Sequence, residues 1–356
     1  GKLSEQRVNY ACSKILEAKF KLGLFENRYV NENNIFDKIF NESHKKTALK
    51  LAREGIVLLK NNDILPLQNP QNINNKILVT GPNANNQSIL GDWHNPQPEE
   101  NVFTVYEGIE KIGNEMGYTV NYHEFNENIK KISNNDIDKT IEIANQYDII
   151  FVVVGDNSMR YKWKQKTAGE NTARTKLNLA GKQLDLVKKL KDTGKNIIVL
   201  YVNGRPISEP WISENINAII ELWEPGSFGG LAAAEIIFGK INPSGKLPVT
   251  IASSVGQLKM FYNHKHSMYY RDYAIHNNRP LYYFGFGLSY TKFEISEPKL
   301  KNLNFIKGKL RVSVDVKNVG EISGDEIVQL YISDKYSSVT RPVKELKDFK
   351  RVSLKP

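Results

Sequence analysis

The chain has 356 residues, 40% of them hydrophobic and 25% charged, which is the make-up of soluble globular protein and enough length for two or three domains. Its formal net charge of +10 does not single out nucleic acid, because the lysines are spread through the chain. Even Lys162-Trp163-Lys164-Gln165-Lys166 and Lys188-Lys189-Leu190-Lys191 read as solvated faces, without the aromatic interleaving of a nucleic-acid surface. Cys12 is the only cysteine, so an internal disulfide is excluded, and no run of 18 apolar residues offers a membrane span.

Residues 4–22 read as an amphipathic helix, with Val8, Ala11, Cys12, Ile15, Ala18 and Leu22 at three- and four-residue steps. Cys12 on that stripe reads as a buried structural thiol. From about 43 to 252 helical and strand patterns alternate. Ser43 precedes a helix carrying Ala48, Leu51, Ala52 and Ile56, which runs into an apolar segment at 57–60. Continuous apolar runs at 77–79, 149–154, 197–202 and 218–223 are separated by helical patterns at 106–113, 138–146, 180–191 and 229–238. Apolar, β-branched runs of that kind belong to parallel strands buried on both faces, so the expected class is an α/β sandwich with a mostly parallel sheet. Gly285 and Gly287, set among aromatics at 282–291, mark the exit from this domain. Period-two alternation at 310–316 and 326–332, with a turn at 317–320, then begins an all-β sandwich.

The chemistry-bearing stretch runs from 151 to 248. It holds Val154-Gly155-Asp156 at a strand end, Gly169-Glu170 in a charged loop, Asn203-Gly204-Arg205-Pro206 and Glu221-Leu222-Trp223-Glu224-Pro225-Gly226. Phe228-Gly229-Gly230 and Asn242-Pro243-Ser244-Gly245-Lys246-Leu247-Pro248 follow. In this order the series resembles the second domain of glycoside hydrolase family 3, the retaining exo-acting β-glucosidases and β-xylosidases, nearest the bacterial β-glucosidase branch. Residues 18–27 resemble that family's closing (β/α)8-barrel helix and its exit linker, and Arg341-Pro342-Val343-Lys344-Glu345-Leu346 its fibronectin type III-like domain. The resemblance implies a last barrel helix and linker over 1–42, the α/β sandwich over 43–252, a connecting segment over 253–292 and a fibronectin type III-like domain over 293–356. A full sandwich needs about 100 residues, so the last domain is expected to be incomplete. An isolated barrel helix would leave its apolar face exposed. The family's aspartate nucleophile lies on the barrel, so the chain is expected to hold half of an active site and to be inactive alone.

Retaining hydrolysis needs two carboxyl groups about 5–5.5 Å apart, one of them protonated to assist the leaving oxygen. Read alone, Glu170 is a solvated loop carboxylate. The resemblance makes it the general acid/base, since it precedes Arg174 by four residues and a Leu177-Asn178-Leu179 pattern follows. The sequence departs from the family at Ala180, where proline is common, and before the arginine, where small residues are common. Asp156 is the alternative acid, because ligands in open α/β sheets sit at the carboxyl ends of strands; it reads equally as a turn cap. Asp92 and Trp93, in Leu90-Gly91-Asp92-Trp93-His94, are placed in substrate contact, with Trp93 an aromatic platform for a sugar or else a core tryptophan. Arg174 is placed at the substrate site, holding the Glu170 loop by a charge-assisted bond. Arg205, Trp223 and Pro225-Gly226 read as scaffold.

No nucleotide-binding glycine motif, Gly-x-Ser-x-Gly elbow or metal-ligand spacing occurs; His264 and His266 lack a third ligand. The mechanism implies no metal and no organic cofactor. The expected partners are a β-linked oligosaccharide or glucoside and the N-terminal barrel, with no nucleic acid and no membrane; a homodimer is compatible with the family. A β-glucoside is preferred over a β-xyloside, and a periplasmic or secreted location follows family precedent. The reading from another class is a non-catalytic carbohydrate-binding or complementing module.

Overall fold

The computed structural model describes residues 2–70, 75–265, 272–274, 276–301 and 311–356. His266 lies outside them. The chain divides into two units, residues 1–47 and 48–356.

In the first unit, α1 (Glu5–Lys21) is capped by Ser4, whose hydroxyl accepts the Arg7 N–H at 3.2 Å. Glu5 in its first turn and Lys19 and Lys21 in its last complement the helix dipole. None of its residues is buried, and Val8, Ile15 and Phe20 are exposed. Cys12 is exposed as well, which corrects the expectation of a buried thiol: the stripe exists, but no core closes over it. A single turn, α2 (Ile35–Lys38), follows.

The second unit takes in most of α3 (Glu42–Gly55) and is centred on one six-stranded sheet. Its strands are β1 (Val57–Asn61), β2 (Lys76–Thr80), β3 (Thr119–Tyr122), β4 (Ile149–Gly155), β5 (Asn196–Val202) and β6 (Ala218–Trp223), in the spatial order β1-β6-β5-β4-β2-β3. All pairings are parallel except that of β1 with β6, so the sheet is mixed. Alternate side chains leave a strand on opposite faces, and here both faces are covered. Val79, Phe151, Val153, Leu200 and Ile220 join one core with α4 (Val105–Glu115) and α8 (Gly229–Ile237). Leu78, Val152, Ile197, Val199 and Ile219 join a second core with α5 (Asn134–Ala144), α6 (Gln183–Asp192) and α7 (Pro210–Asn215). That two-sided burial is why these strands read as unbroken apolar runs.

Two differences from the sequence reading have local causes. The helix expected from 180 starts at Gln183, because Gly181 sits at φ +61° against the carbonyl of Ile129 and turns the chain first. Strand β3 carries no apolar run: it is an edge strand with Val120 its only buried residue.

The remaining strands pair two by two. β7 (Phe293–Ile295) pairs with β10 (Val316–Asn318), β8 (Lys299–Lys301) with β9 (Arg311–Ser313), and β11 (Gly324–Ile332) with β12 (Glu345–Leu354), all antiparallel. The strand expected over 310–316 is divided between β9 and β10; at the break the Asp315 N–H turns to the Ser296 hydroxyl at 2.9 Å. The segment before this region is tied to the sheet, with the Leu288 N–H donating to the Leu58 carbonyl at 2.9 Å.

Candidate functional site

Parallel strands end on one side of a sheet, and the loops that follow β2, β4, β5 and β6 gather there. They bring Asp92, Gly169, Arg174, Arg205 and Glu224 around a cleft of about 360 Å³.

Asp156, the first residue after β4, is only 3% exposed and does not line that cleft. Its Oδ1 accepts from the Thr167 hydroxyl at 3.0 Å and from Arg174 Nη1 at 3.2 Å, while Arg205 Nε lies 2.8 Å from Oδ2. Its backbone N–H donates to the Val202 carbonyl at 2.9 Å. Asp156 therefore ties together the loops after β4 and β5. A carboxyl surrounded by two guanidinium groups and a hydroxyl has no open face towards a leaving group, which weighs against the alternative acid.

Glu170 stands on a tight turn between Gly169 at φ +94° and Asn171 at φ +58°, both in the left-handed region. Its backbone is held at both ends. The Glu170 N–H donates to Asp92 Oδ2 at 2.5 Å, and the Glu170 carbonyl accepts from Lys166 Nζ at 3.1 Å. Lys166 and Asp92 are themselves an ion pair at 2.8 Å. The Glu170 side chain is 41% exposed and pairs with Arg160. Burial works to raise the Asp92 carboxyl, but the hydrogen bond from Lys166 and the Glu170 N–H outweigh it and hold it below the usual carboxylate range.

Lys166 is 1% exposed, so it is not part of a solvated face as the lysine-rich run suggests. Nothing in the run distinguishes it from Lys162 or Lys164. Arg160 also went unread in the sequence; its guanidinium lies 3.7 Å from the Trp93 ring centroid. Trp93 is 76% exposed, which removes the core reading and leaves its ring on the surface beside the cleft. Arg174 does not bond Glu170: it reaches Asp156 and the Asn178 carbonyl, at 2.9 Å, and so acts on the loop from its far end.

Glu224, to which the sequence reading gave no role, lines the cleft and accepts from the Ser158 hydroxyl at 2.7 Å. Burial, reinforced by Asp92 and Asp156, raises its carboxyl above the usual range. One residue earlier in the turn, Trp223 has φ +60°, and Glu221 below it is fully buried.

The α/β sandwich thus gathers carboxylates and guanidinium groups at a cleft beyond its strand ends and is followed by paired β-strands. Residues 56–290 match the glycosyl hydrolase family 3 C-terminal domain and 326–356 a fibronectin type III-like domain, and the chain belongs to glycosyl hydrolase family 3. It is 37% identical to a β-xylosidase of Formosa agariphila, over 98% of this chain and 48% of that protein. It is 34% identical to a periplasmic β-glucosidase of Salmonella typhimurium, over 100% of this chain and 50% of that protein. Among solved structures, a β-glucosidase from Erythrobacter marinus superposes with a TM-score of 0.87 at 34% identity, over 99% of this chain and 49% of that one. The Listeria innocua β-glucosidase solved with isofagomine gives 0.87 at 31% identity, over 100% and 49%. The chain thus spans about half the length of these relatives. No described helix is long and apolar enough to cross a membrane.

Proposed function

We propose that the chain contributes the acid/base half of a retaining exo-β-glycosidase that removes terminal β-linked sugars. In this reading an aspartate nucleophile on a (β/α)8 barrel attacks the anomeric carbon while Glu170 protonates the leaving oxygen. Glu170 then takes a proton from the water that releases the sugar. The observation that carries the reading is the presentation of Glu170. It stands at the cleft rim, on a turn whose Gly169 and Thr172 line the cleft, with its backbone fixed and its carboxyl 41% exposed and paired with Arg160. Trp93 and Arg160 beside it would meet the leaving group.

A β-glucoside is the first substrate reading, supported by the Salmonella and Listeria relatives, the latter also solved with glucose. A β-xyloside is the second, favoured by the Formosa relative. The periplasmic Salmonella relative supports a location outside the cytoplasm.

The test is Glu170→Ala in the full-length enzyme that includes the barrel. The expected result is a fall in kcat/KM of about 10²–10⁴-fold on a β-linked disaccharide and a far smaller fall on aryl glycosides with activated leaving groups, which need no proton. Equal losses on both would remove Glu170 from the acid/base role. Sugar binding without any hydrolysis by the full-length protein would instead support a carbohydrate-binding module.

A further inference from the structure

We propose that Asp92 and Lys166 are positioning residues that fix the direction in which Glu170 presents its carboxyl, a role that rests on the acid/base reading of Glu170. Burying an ammonium group costs several kcal/mol unless a partner compensates, and Lys166 is almost wholly buried. Its Nζ donates two hydrogen bonds, to Asp92 Oδ1 at 2.8 Å and to the Glu170 carbonyl at 3.1 Å, and lies 4.5 Å from the centroid of the Trp163 ring. The second Asp92 oxygen takes the Glu170 N–H. One ion pair therefore grips both backbone polar groups of a single residue, and that residue is the one whose side chain must be aimed.

Regular secondary structure cannot supply this hold. Gly169 and Asn171 both have positive φ, so no helix or strand ladder runs through Glu170. The clasp is also tightly fitted, since a Cβ on Gly169 would come within 2.7 Å of Asp92 Oδ2 and 3.2 Å of Lys166 Nζ. Beyond the peptide, the Glu170 side chain makes its contact with Arg160 alone among the hydrogen bonds and ion pairs of the described residues. Its aim is thus set by the backbone beneath it together with the Arg160 pair at its tip. Misplacement of a reacting group by about 1 Å can cost on the order of 10²-fold in rate. With each of its oxygens already engaged by the chain, Asp92 is better suited to this role than to direct contact with a sugar.

The experiment uses the full-length enzyme with Asp92→Asn, Lys166→Met, the double variant and Glu170→Gln, assayed on a disaccharide and on aryl glycosides of graded leaving-group ability. Each single variant is expected to lower kcat/KM on the disaccharide about tenfold or more, to affect the most activated aryl glycoside much less, and to leave KM within about twofold. The double variant is expected to be no worse than the poorer single, because the pair acts as one unit. Equal losses across all leaving groups, multiplicative losses in the double variant, or a raised KM at unchanged kcat for Asp92→Asn would overturn the proposal. Gly169→Ala supplies the same test without removing a charge, should a pair variant not fold, and is expected to give the same leaving-group signature. If Glu170→Gln lacks that signature, the acid/base reading and this proposal fall together. If Glu170→Gln has it and the pair variants do not, only the positioning role falls.

Discussion

Glu221 keeps a carboxyl inside the sheet, accepting the Trp223 N–H at 2.9 Å and Asn203 Nδ2 at 3.3 Å. Burial, with a smaller contribution from the charge of Asp156, pushes it up to about 8 from the usual 4.5. Between those two values the folded chain holds a proton that the unfolded chain releases. The sign follows from linkage: this contribution to stability is fully present below about pH 4.5 and is lost as pH rises to about 8, beyond which it is flat. Thermal melting should therefore fall between pH 5 and pH 8, and Glu221→Gln should flatten that slope; an unchanged slope would show that other groups set it. The sequence carried Glu221 only as a letter in Glu221-Leu222-Trp223-Glu224, since a glutamate in a strand does not announce whether its carboxyl is buried. Lys166 was hidden for a similar reason: a lysine-rich run has no periodicity that says which ammonium turns inward, and its partner Asp92 lies 74 residues away. Glu170 was legible only through its flanking register, because a loop glutamate has no pattern of its own.

At the scale of elements, α4 and α8 meet through glycines. A Cβ on Gly108 would collide with the carbonyl of Gly230, and one on Gly230 with the carbonyl of Thr104. Thr104 is also the N-cap of α4, closing a capping box with Glu107. The two helices can therefore lie backbone to backbone on the sheet. Gly108→Ala is expected to destabilise the chain by about 1–3 kcal/mol, the usual cost of overpacking, although alanine is the better helix former. Denaturant unfolding would measure it, and a stabilised variant would mean that the helices separate without cost. The central strands β2, β4, β5 and β6 were readable because double-sided burial forces continuous apolar runs. β12 was missed because residues such as Lys347, Asp348, Lys350 and Arg351 interrupt the alternation, and it is held by its long register with β11 instead. The antiparallel setting of β1 was not readable, since apolar content does not encode strand direction.

For the whole molecule, the net charge of +10 is distributed rather than focused. Retention on heparin or DNA should therefore be weak, independent of sequence and lost between about 50 and 200 mM salt, as nonspecific electrostatic attraction is screened. Sequence-selective retention that persists above that range would point to a nucleic-acid function instead. A different large-scale property follows from the segment around Leu288, which meets the outer strand β1 through the Leu288 N–H and the Leu58 carbonyl. Outer strands with unmet amide and carbonyl groups are templates on which other molecules assemble strand by strand. Here the chain itself occupies part of that template at Leu58, so the stretch linking the sandwich to the paired β-strands leaves fewer of its groups open to a second molecule. Because Tyr282, Phe286, Leu288 and Tyr290 also pack against the two cores, a protein cut within 282–290 would be expected both to loosen the sandwich and to associate through β1, which light scattering would read.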